Sequence, residues 1–379
     1  PVVFGKAKKM AVYCGSSLAI ILAVLLANIN QVLWIGQHDT ELGGLLQPWS
    51  YLVNTIRVTS MNLAKQAEEI KLPDGRITDN EKTVVVLVIG ESARKANFQL
   101  YGYQRDTNPL LSKQPELKVY QAVSCGTYTT AGVKAILEPQ ESGDLYELLP
   151  NYAFRTGVDV SWRTYNWGEP PIHIDEYLNE KDLAKKYPDV DKAYDGLLFA
   201  GLRERIESSQ KNKVLIVLHT RTSHGPNYAE KYPKEFEVYK PVAENVEEGE
   251  KNVERLVNAY DNTIRYTDFL LNGLINTLRS MTDWKSAMIF ISDHGESLGE
   301  NKVFMHGLPM KLAPKVQYEI PFLVWTSEGF RNYKPTSGKQ DAQEGELPAV
   351  LEQHYIFHSV LNLLSIQSPA YNKDYDIFL

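Results

Sequence analysis

The sequence predicts an α/β/α sandwich built on a mostly parallel central sheet and preceded by a transmembrane helix. Short apolar runs rich in β-branched residues alternate with segments of helical periodicity over most of the chain. Such runs are typical of strands buried on both faces of a parallel sheet, and their alternation with helices predicts the sandwich. The predicted strands are Val84–Ile89, Gly157–Trp162, Val214–Leu218, Ser286–Ile291 and Ile320–Trp325, and Glu254–Arg279 is predicted to be a long helix.

The transmembrane helix is predicted from the uncharged stretch of residues 10–37. This stretch is long enough to cross a bilayer core of about 30 Å. A buried core helix and a signal peptide are alternatives, but the stretch is unusually long for either, and no clean cleavage site follows it. Lys6, Lys8 and Lys9 predict that residues 1–9 flank the membrane on its cytoplasmic side. Because the chain begins at Pro1 rather than Met, we expect it to be a fragment.

The rest of the chain is predicted to form a linker and one large domain. Residues 38–80 contain an amphipathic stretch and a turn, which indicates a juxtamembrane helix and linker, and residues 81–379 form the domain. The formal net charge of −7 and the lack of a long basic tract argue against nucleic-acid binding. The two cysteines, Cys14 and Cys125, do not indicate a disulfide framework.

Polar residues follow three of the predicted strands directly. Glu91 follows the first strand, the third leads into His219, and Asp293 follows the fourth. Parallel strands end at one edge of a sheet, where α/β proteins bind ligands, so these side chains are expected to meet. Glu91 alone is better explained as a helix cap, and a single histidine as a hydrogen-bonded structural residue. The whole set, however, indicates a site of nitrogen and oxygen ligands that suits zinc. The candidate ligands are Glu91, His224, Asp293, His294 and His306.

The segment Ser124–Thr130, SCGTYTT, is the candidate source of a nucleophile. A hydroxyl is a weak nucleophile at its ordinary pKa, and a divalent metal activates it by favouring the alkoxide. Cys125 is an alternative nucleophile, although its neighbours do not indicate a lowered pKa. The segment also fits a helix N-terminus with capping hydroxyls, and such an end favours a bound phosphate.

Five segments together resemble the phosphoethanolamine transferases of the alkaline phosphatase–sulfatase superfamily. This family includes enzymes that modify lipid A and flagellar-rod protein, and the mobile colistin-resistance enzymes. The resemblance covers nearly the whole chain from Tyr51 onward and implies an alkaline phosphatase-like fold. The matching segments are Gly90–Pro109, Ser124–Thr130, Ser223–Tyr228, Asn258–Asp268 and Ser292–Pro309.

The resemblance implies a threonine nucleophile and one tightly bound zinc ion. The family's nucleophile is the second threonine of its Cys-Gly-Thr-x-Thr motif, which is Thr129 here, with Thr127 as the alternative. His224 and His306 match two histidines that serve a second zinc ion, or the phosphate and leaving group, in relatives. The implied ligands of the first zinc ion are Glu91, Thr129, Asp293 and His294.

The resemblance also implies a reaction and a location. Thr129 would attack phosphatidylethanolamine, release diacylglycerol and keep phosphoethanolamine until an acceptor takes it. The acceptor would be lipid A, another envelope glycan or a protein. We expect a monomer in the bacterial inner membrane with its catalytic domain in the periplasm, where it has no nucleic-acid partner. Two features depart from the family pattern: the usual disulfide cysteines are absent, and a phosphate-binding lysine of some relatives has no counterpart near Asn166–Glu169.

Two other functions compete with this interpretation. The first is another activity of the superfamily, such as that of a phosphoglycerol transferase, a phosphodiesterase or a sulfatase. A sulfatase would carry Cys-x-Pro-x-Arg or Ser-x-Pro-x-Arg, which Cys125–Thr129 lacks. The second is a non-catalytic, membrane-anchored binding protein. The retention of every expected ligand argues against it, because buried unpaired carboxylates and imidazoles are costly to keep.

Overall fold

The structure is a computed structural model that describes residues 2–28, 31, 69–166, 169–334 and 349–378. It comprises two compact units. The first contains residues 1–67 with 302–304, and the second contains residues 68–301 with 305–379.

In the described part of the first unit lies a long helix, α1, which spans Val2–Ala27. Its segment Lys9–Ala27 has a mean hydropathy of 2.3 and is long and apolar enough to cross a membrane, and none of its residues is buried. Most of the predicted span beyond Ala27 and most of the predicted juxtamembrane segment, residues 32–68, lie outside the described residues.

The second unit is built on an eight-stranded sheet with strand order β11-β3-β10-β7-β2-β6-β4-β5. Among these eight strands, only β10 runs antiparallel to its neighbours, β3 and β7. The strands found in the described residues are β1 Arg76–Ile77, β2 Thr83–Gly90, β3 Lys118–Val123, β4 Asp159–Thr164, β5 Glu176–Leu178, β6 Lys213–His219, β7 Lys285–Ser292, β8 Ser297–Leu298, β9 Phe304–Met305, β10 Glu319–Thr326, β11 Leu351–Glu352 and β12 Ile366–Gln367.

Helices cover the sheet, as a sandwich requires. On one face, the side chains of Val85, Leu87 and Ile89 pack in a core cluster that includes residues of α2, α3 and α9. The amphipathic helix α7 contacts β7. The helices are α2 Thr129–Leu137, α3 Leu149–Arg155, α4 Glu180–Lys186, α5 Leu202–Glu207, α6 Val246–Lys251, α7 Val253–Arg279, α8 Glu328–Tyr333 and α9 Tyr355–Leu363.

All five predicted strands are present, and the α/β sandwich with a mostly parallel sheet is confirmed. The predicted strand Gly157–Trp162 begins later, at Asp159, because Gly157 lies in a turn with φ +105°. The predicted long helix corresponds to α7, which Asn252 caps by accepting a hydrogen bond from the Arg255 backbone N–H.

Candidate active site

The ends of three neighbouring strands bring the candidate residues together. β2 pairs in parallel with both β6 and β7, with Ile89 opposite His219 and Gly90 opposite Ser292. Since the three strands end level with one another, Glu91 after β2 and Asp293 after β7 lie beside His219 at the end of β6. All three side chains are at most 1% exposed.

The buried acids and imidazoles are in direct contact. The distance from His294 Nε2 to Glu91 Oε1 is 3.2 Å, and to Asp293 Oδ2 it is 3.4 Å. His294 Nδ1 lies 2.8 Å from the Gly295 carbonyl oxygen and donates to it, which directs Nε2 at the two carboxylates. The same Nδ1 hydrogen bond suits a metal-binding histidine, because loss of the Nε2 proton would then leave that nitrogen free to bind the ion.

Thr129 is held against this cluster by helix α2, which it begins. Its Oγ1 lies 3.3 Å from each carboxylate oxygen of Glu91 and 3.5 Å from His294 Nε2. Gly132 allows this approach, because a Cβ at that position would lie only 2.1 Å from the Asp293 carbonyl oxygen. The glycine therefore sets how closely the hydroxyl approaches the acidic cluster.

The other candidate nucleophiles of the Ser124–Thr130 segment point elsewhere. Thr127 is buried, and its Oγ1 donates to the Leu308 carbonyl oxygen at 2.6 Å. Burial, followed by the charge of Glu141, raises the pKa of Cys125 to about 12. The segment does begin a helix, but the N-cap residue is Tyr128, and no side chain caps that end.

His224 and His306 lie next to the cluster. The ring centres of His306 and His294 are 4.3 Å apart, and those of His224 and His306 are 5.6 Å apart. His306 Nδ1 lies 3.2 Å from Glu296 Oε1, and His224 Nδ1 lies 2.5 Å from the Gly225 carbonyl oxygen. All six residues named from the sequence as catalytic or metal-binding thus meet at one place.

Sequence reasoning left out several residues that hold the site. His219 was noted at a strand end but not included among the ligands, although ligand atoms of His219, Glu91 and Asp293 lie within 4.8 Å of one another. Glu169 Oε1 lies 3.0 Å from His219 Nδ1 and orients that ring. Gln353 follows β11 and donates to the Asp293 carbonyl oxygen at 2.7 Å. Strand-end position indicates His219, whereas no sequence pattern indicates Glu169 or Gln353.

The charges of the cluster are mutually dependent. Burial opposes ionisation of Glu91, but the hydrogen bond from His294 and the neighbouring imidazole charges lower its pKa well below the usual range. Burial, followed by the charge of Glu91, raises the pKa of Asp293. Two carboxylates this close cannot both ionise without a compensating positive charge.

The donor set fits a metal ion. Asp293 Oδ2 and His219 Nε2 are buried, and neither has a hydrogen-bond partner among the described residues. An unsatisfied carboxylate oxygen and an imidazole nitrogen are costly to bury, and both are ordinary ligands of a divalent cation. A cation bound there would satisfy both atoms and neutralise the paired acids.

Comparisons with known proteins identify the family. The sulfatase family model matches residues 83–366, and the family model described as phosphoethanolamine transferase EptA/EptB matches residues 3–63. The chain is 40% identical over 357 residues to phosphoethanolamine transferase EptA of Helicobacter pylori, covering 93% of this chain and 66% of that protein. It therefore spans slightly less than two thirds of that relative.

Solved structures agree with the family models. Among them is the integral membrane protein lipooligosaccharide phosphoethanolamine transferase A of Neisseria meningitidis, with a TM-score of 0.76, 26% identity, and coverage of 97% of this chain and 71% of that one. The soluble domain of the same transferase matches with a TM-score of 0.71 and 30% identity, over 82% of this chain and 97% of that domain. The chain, with its alkaline phosphatase-like fold, thus belongs to the phosphoethanolamine transferase family.

Proposed function

We propose that this chain transfers phosphoethanolamine from phosphatidylethanolamine to an acceptor, lipid A or another envelope glycan or protein, through a phosphothreonine intermediate. The position of Thr129 carries the proposal, because its Oγ1 lies 3.3 Å from both oxygens of Glu91 at the beginning of α2. A hydroxyl at a helix N-terminus, beside a candidate metal site, is placed both to attack a phosphate and to receive one.

In the first step, Thr129 Oγ1 gives up its proton and attacks the phosphorus of the donor. The bond between phosphorus and the diacylglycerol oxygen breaks, and that oxygen takes a proton as diacylglycerol leaves. In the second step, an acceptor oxygen attacks the same phosphorus, and Oγ1 leaves and regains a proton. His306, whose Nδ1 is fixed by Glu296, and His224 lie where they would serve the phosphate and the leaving groups.

Zinc is the cofactor that we propose for this site. Glu91, Thr129, Asp293 and His294 would hold it, and His219 is a further candidate ligand because its Nε2 lies 3.9 Å from Glu91 Oε2. A bound zinc ion stabilises negative charge on the transferring phosphoryl oxygens. His224 and His306 would contribute to any second metal site.

A lipid donor accounts for an apolar helix in the same chain. We propose that α1 anchors the protein in the bacterial inner membrane and that residues 81–379 form a periplasmic catalytic domain, with residues 38–80 as the connection. This arrangement is supported by the exposed apolar segment Lys9–Ala27 and by the family match over residues 3–63. We propose a monomer.

The test is the intact mass of the zinc-loaded protein after incubation with a phosphatidylethanolamine analogue. We expect one phosphoethanolamine adduct on the wild type and none on Thr129→Ala. Thr130→Ala is the matched control, since Thr130 is the exposed neighbour in the same helical turn, and it should form the adduct normally. An adduct on Thr129→Ala would contradict the assigned nucleophile. A wild type that binds zinc but forms no adduct would contradict the donor.

A further inference from the structure

Two cations that follow β6, Arg221 and Lys231, lack an anionic partner. Both are half-buried, and neither side chain forms an ion pair or hydrogen bond with another described residue. The Arg221 guanidinium contacts only an aromatic ring among the interactions described, 5.0 Å from the centre of Tyr165. By contrast, buried Lys213 lies 2.6 Å from Asp79 Oδ1. Because shielding an unpaired cation from water is costly, the pair indicates a ligand of opposite charge.

The two cations lie beside the candidate active site. The backbone N–H of His224 donates to the Arg221 carbonyl oxygen at 3.2 Å, so both residues belong to one turn. Lys231 follows the same turn, and its backbone N–H donates to the Tyr228 carbonyl oxygen at 3.1 Å. The Tyr228 hydroxyl packs so closely on Gly225, the neighbour of His224, that a Cβ there would lie 2.9 Å from it. Burial, followed by the charge of Arg221, lowers the pKa of Lys231, which agrees with two cations in one segment.

No acid among the described residues forms an ion pair with either cation. Asp195 is buried, and its Oδ2 accepts the Arg221 backbone N–H at 2.7 Å and the Thr222 hydroxyl rather than a hydrogen bond from either cationic side chain. Glu230 is exposed, so its charge is largely screened by solvent. Two cations without an ion-pair partner thus belong to the segment that carries His224, beside the candidate active site.

We propose that Arg221 and Lys231 bind a phosphate group of the acceptor during the second step. This inference rests on the proposed function. A phosphate oxygen of the acceptor attacks the phosphorus carried by Thr129, a new P–O bond forms a diphosphate, and the bond to Oγ1 breaks as Oγ1 takes a proton. Attack of one anion on another is opposed by charge repulsion, and guanidinium and ammonium groups that bind phosphate reduce it.

The experiment separates the two steps in the zinc-loaded chain of residues 1–379. Adduct formation from the phosphatidylethanolamine analogue is measured first by intact mass. Adduct loss is then followed with N-acetylglucosamine 1-phosphate, with N-acetylglucosamine, and in buffer alone. The variants are Arg221→Ala, Lys231→Ala, the double variant and the charge-conserving Arg221→Lys and Lys231→Arg. Lys234→Ala is the control, because Lys234 is an exposed lysine of the same segment.

We expect each alanine variant to raise the KM for the phosphorylated sugar at least about tenfold, the order expected for a lost charge-assisted hydrogen bond. Adduct formation and hydrolysis in buffer should change less than about threefold, and the charge-conserving variants should recover part of the loss. Equal slowing of both steps would assign the cations to the donor phosphate and overturn the proposal. An unchanged KM would overturn it as well.

Failure of the proposed function has a different signature. If wild-type protein forms no adduct, calorimetric binding of N-acetylglucosamine 1-phosphate to the zinc-loaded chain replaces the transfer assay. Weaker binding to the double variant than to Lys234→Ala would support the phosphate site even then. Equal binding to both variants would refute it.

Discussion

Two buried aspartates, Asp261 and Asp293, differ in how completely their carboxylate oxygens are hydrogen-bonded. Asp261 on α7 accepts hydrogen bonds at both oxygens, from Asn97 Nδ2 at 2.5 Å, Tyr103 OH at 2.8 Å and Arg105 Nη1 at 2.9 Å. Asp293 after β7 accepts two backbone N–H groups at Oδ1, while its Oδ2 has no hydrogen-bond partner among the described residues.

This difference in hydrogen bonding distinguishes a structural carboxylate from one that can bind a ligand. A buried carboxylate whose two oxygens are both hydrogen-bonded stabilises the elements that contact it and has little capacity left for a ligand. A buried carboxylate with an open oxygen beside another acid costs free energy until a cation binds. Completeness of hydrogen bonding therefore distinguishes a structural cluster from a ligand site when both are equally buried.

The sequence motifs likewise contain residues that stabilise the fold and residues that lie in the candidate active site. The segments Gly90–Pro109 and Asn258–Asp268 were both found by resemblance, and several of their hydrogen bonds join one segment to the other. Asp268 on α7 accepts the backbone N–H of Leu110 at 3.0 Å and of Leu111 at 2.9 Å. Within these two segments, Glu91 contacts the candidate nucleophile, while the RDTNP and NAYDNTI motifs fasten the loop after β2 to α7.

The group of Glu91, Asp293 and His294 is called the open cluster here, because Asp293 Oδ2 has no hydrogen-bond partner among the described residues, and the group around Asp261 is called the filled cluster. The largest effect is expected from removing an acid of the open cluster. We expect Asp293→Ala to abolish zinc binding and reduce transfer at least about a thousandfold, since the metal supplies most charge stabilisation. The metal-free variant should be close in stability to metal-free wild type, because relief of the repulsion on Glu91 offsets the loss of the two backbone hydrogen bonds that Asp293 Oδ1 accepts. Metal analysis and thermal unfolding with and without a chelator measure both.

The zinc-free melting temperature is the decisive value for that comparison. A clear drop in Asp293→Ala without metal would mean that Asp293 stabilises the fold itself. The contrast between open and filled clusters would then be wrong.

Removing Asp261, the aspartate of the filled cluster, should lower stability and leave zinc binding unchanged. We expect Asp261→Ala to reduce the free energy of unfolding by about 3 kcal/mol, because Arg105 and Asn97 lose a buried acceptor. Zinc content should remain that of the wild type. Asp261→Asn is the matched control, since it keeps the shape and part of the hydrogen bonding, and chemical denaturation should show a smaller loss. Loss of zinc from folded Asp261→Ala would contradict the separation of the two clusters.

Much of this fold could be predicted because its central strands are buried on both faces. Continuous β-branched runs such as Val84–Ile89 give no other simple interpretation at that length. β3 was not predicted, because only Ala122 of its six residues is buried and the pattern is mixed. The direction of β10 was also beyond sequence reasoning, since a buried antiparallel strand between two neighbours has the same apolar composition as a parallel one.

Some residues of the candidate site could likewise be predicted from the sequence, and others could not. Glu91, Asp293 and His294 could be named because strand ends determine their positions, and the nucleophile because a motif contains it. Gln353 could not be named, since it reaches the site only through pairing of the short strand β11 with β3. Contacts that depend on which strands become neighbours do not follow from local patterns.

A third test changes the distance between the helix and the open cluster. In Gly132→Ala the added Cβ would lie 2.1 Å from the Asp293 carbonyl oxygen, so α2 must shift and carry Thr129 with it. We expect adduct formation to slow by about a hundredfold, because displacement by about 1 Å costs that much in a positioned reaction. Stability should fall by about 1–3 kcal/mol through overpacking.

Gly273→Ala provides the control for that change. Gly273 lies within α7, and no atom would contact the added Cβ within 4 Å. We expect this variant to be up to about 1 kcal/mol more stable, as alanine is favoured over glycine within a helix, with unchanged adduct formation. Equal rates for the two variants would show that the approach of α2 does not limit the reaction.

The smallest effect concerns a histidine that is fully satisfied, in contrast to His219. His358 Nε2 donates to the Pro139 carbonyl oxygen at 2.8 Å, and Nδ1 accepts the Asn372 backbone N–H at 3.1 Å. This arrangement requires the neutral ring, and burial lowers the pKa of His358 to about 4. The unfolded chain, with an ordinary pKa of about 6.5, binds the proton more readily, so acid favours unfolding.

The contribution of His358 to stability is therefore complete above about pH 6.5 and is lost as the pH falls towards 4. Between pH 8 and pH 5.5 we expect a loss of about 1 kcal/mol in the free energy of unfolding from this group, measured by urea denaturation of metal-free protein. His358→Gln keeps a donor and an acceptor but does not titrate, so its stability should depend less on pH over that range. If the two proteins lose stability in parallel, the protonation that drives acid unfolding belongs to other groups, and the acids and imidazoles of the open cluster become the ones to test.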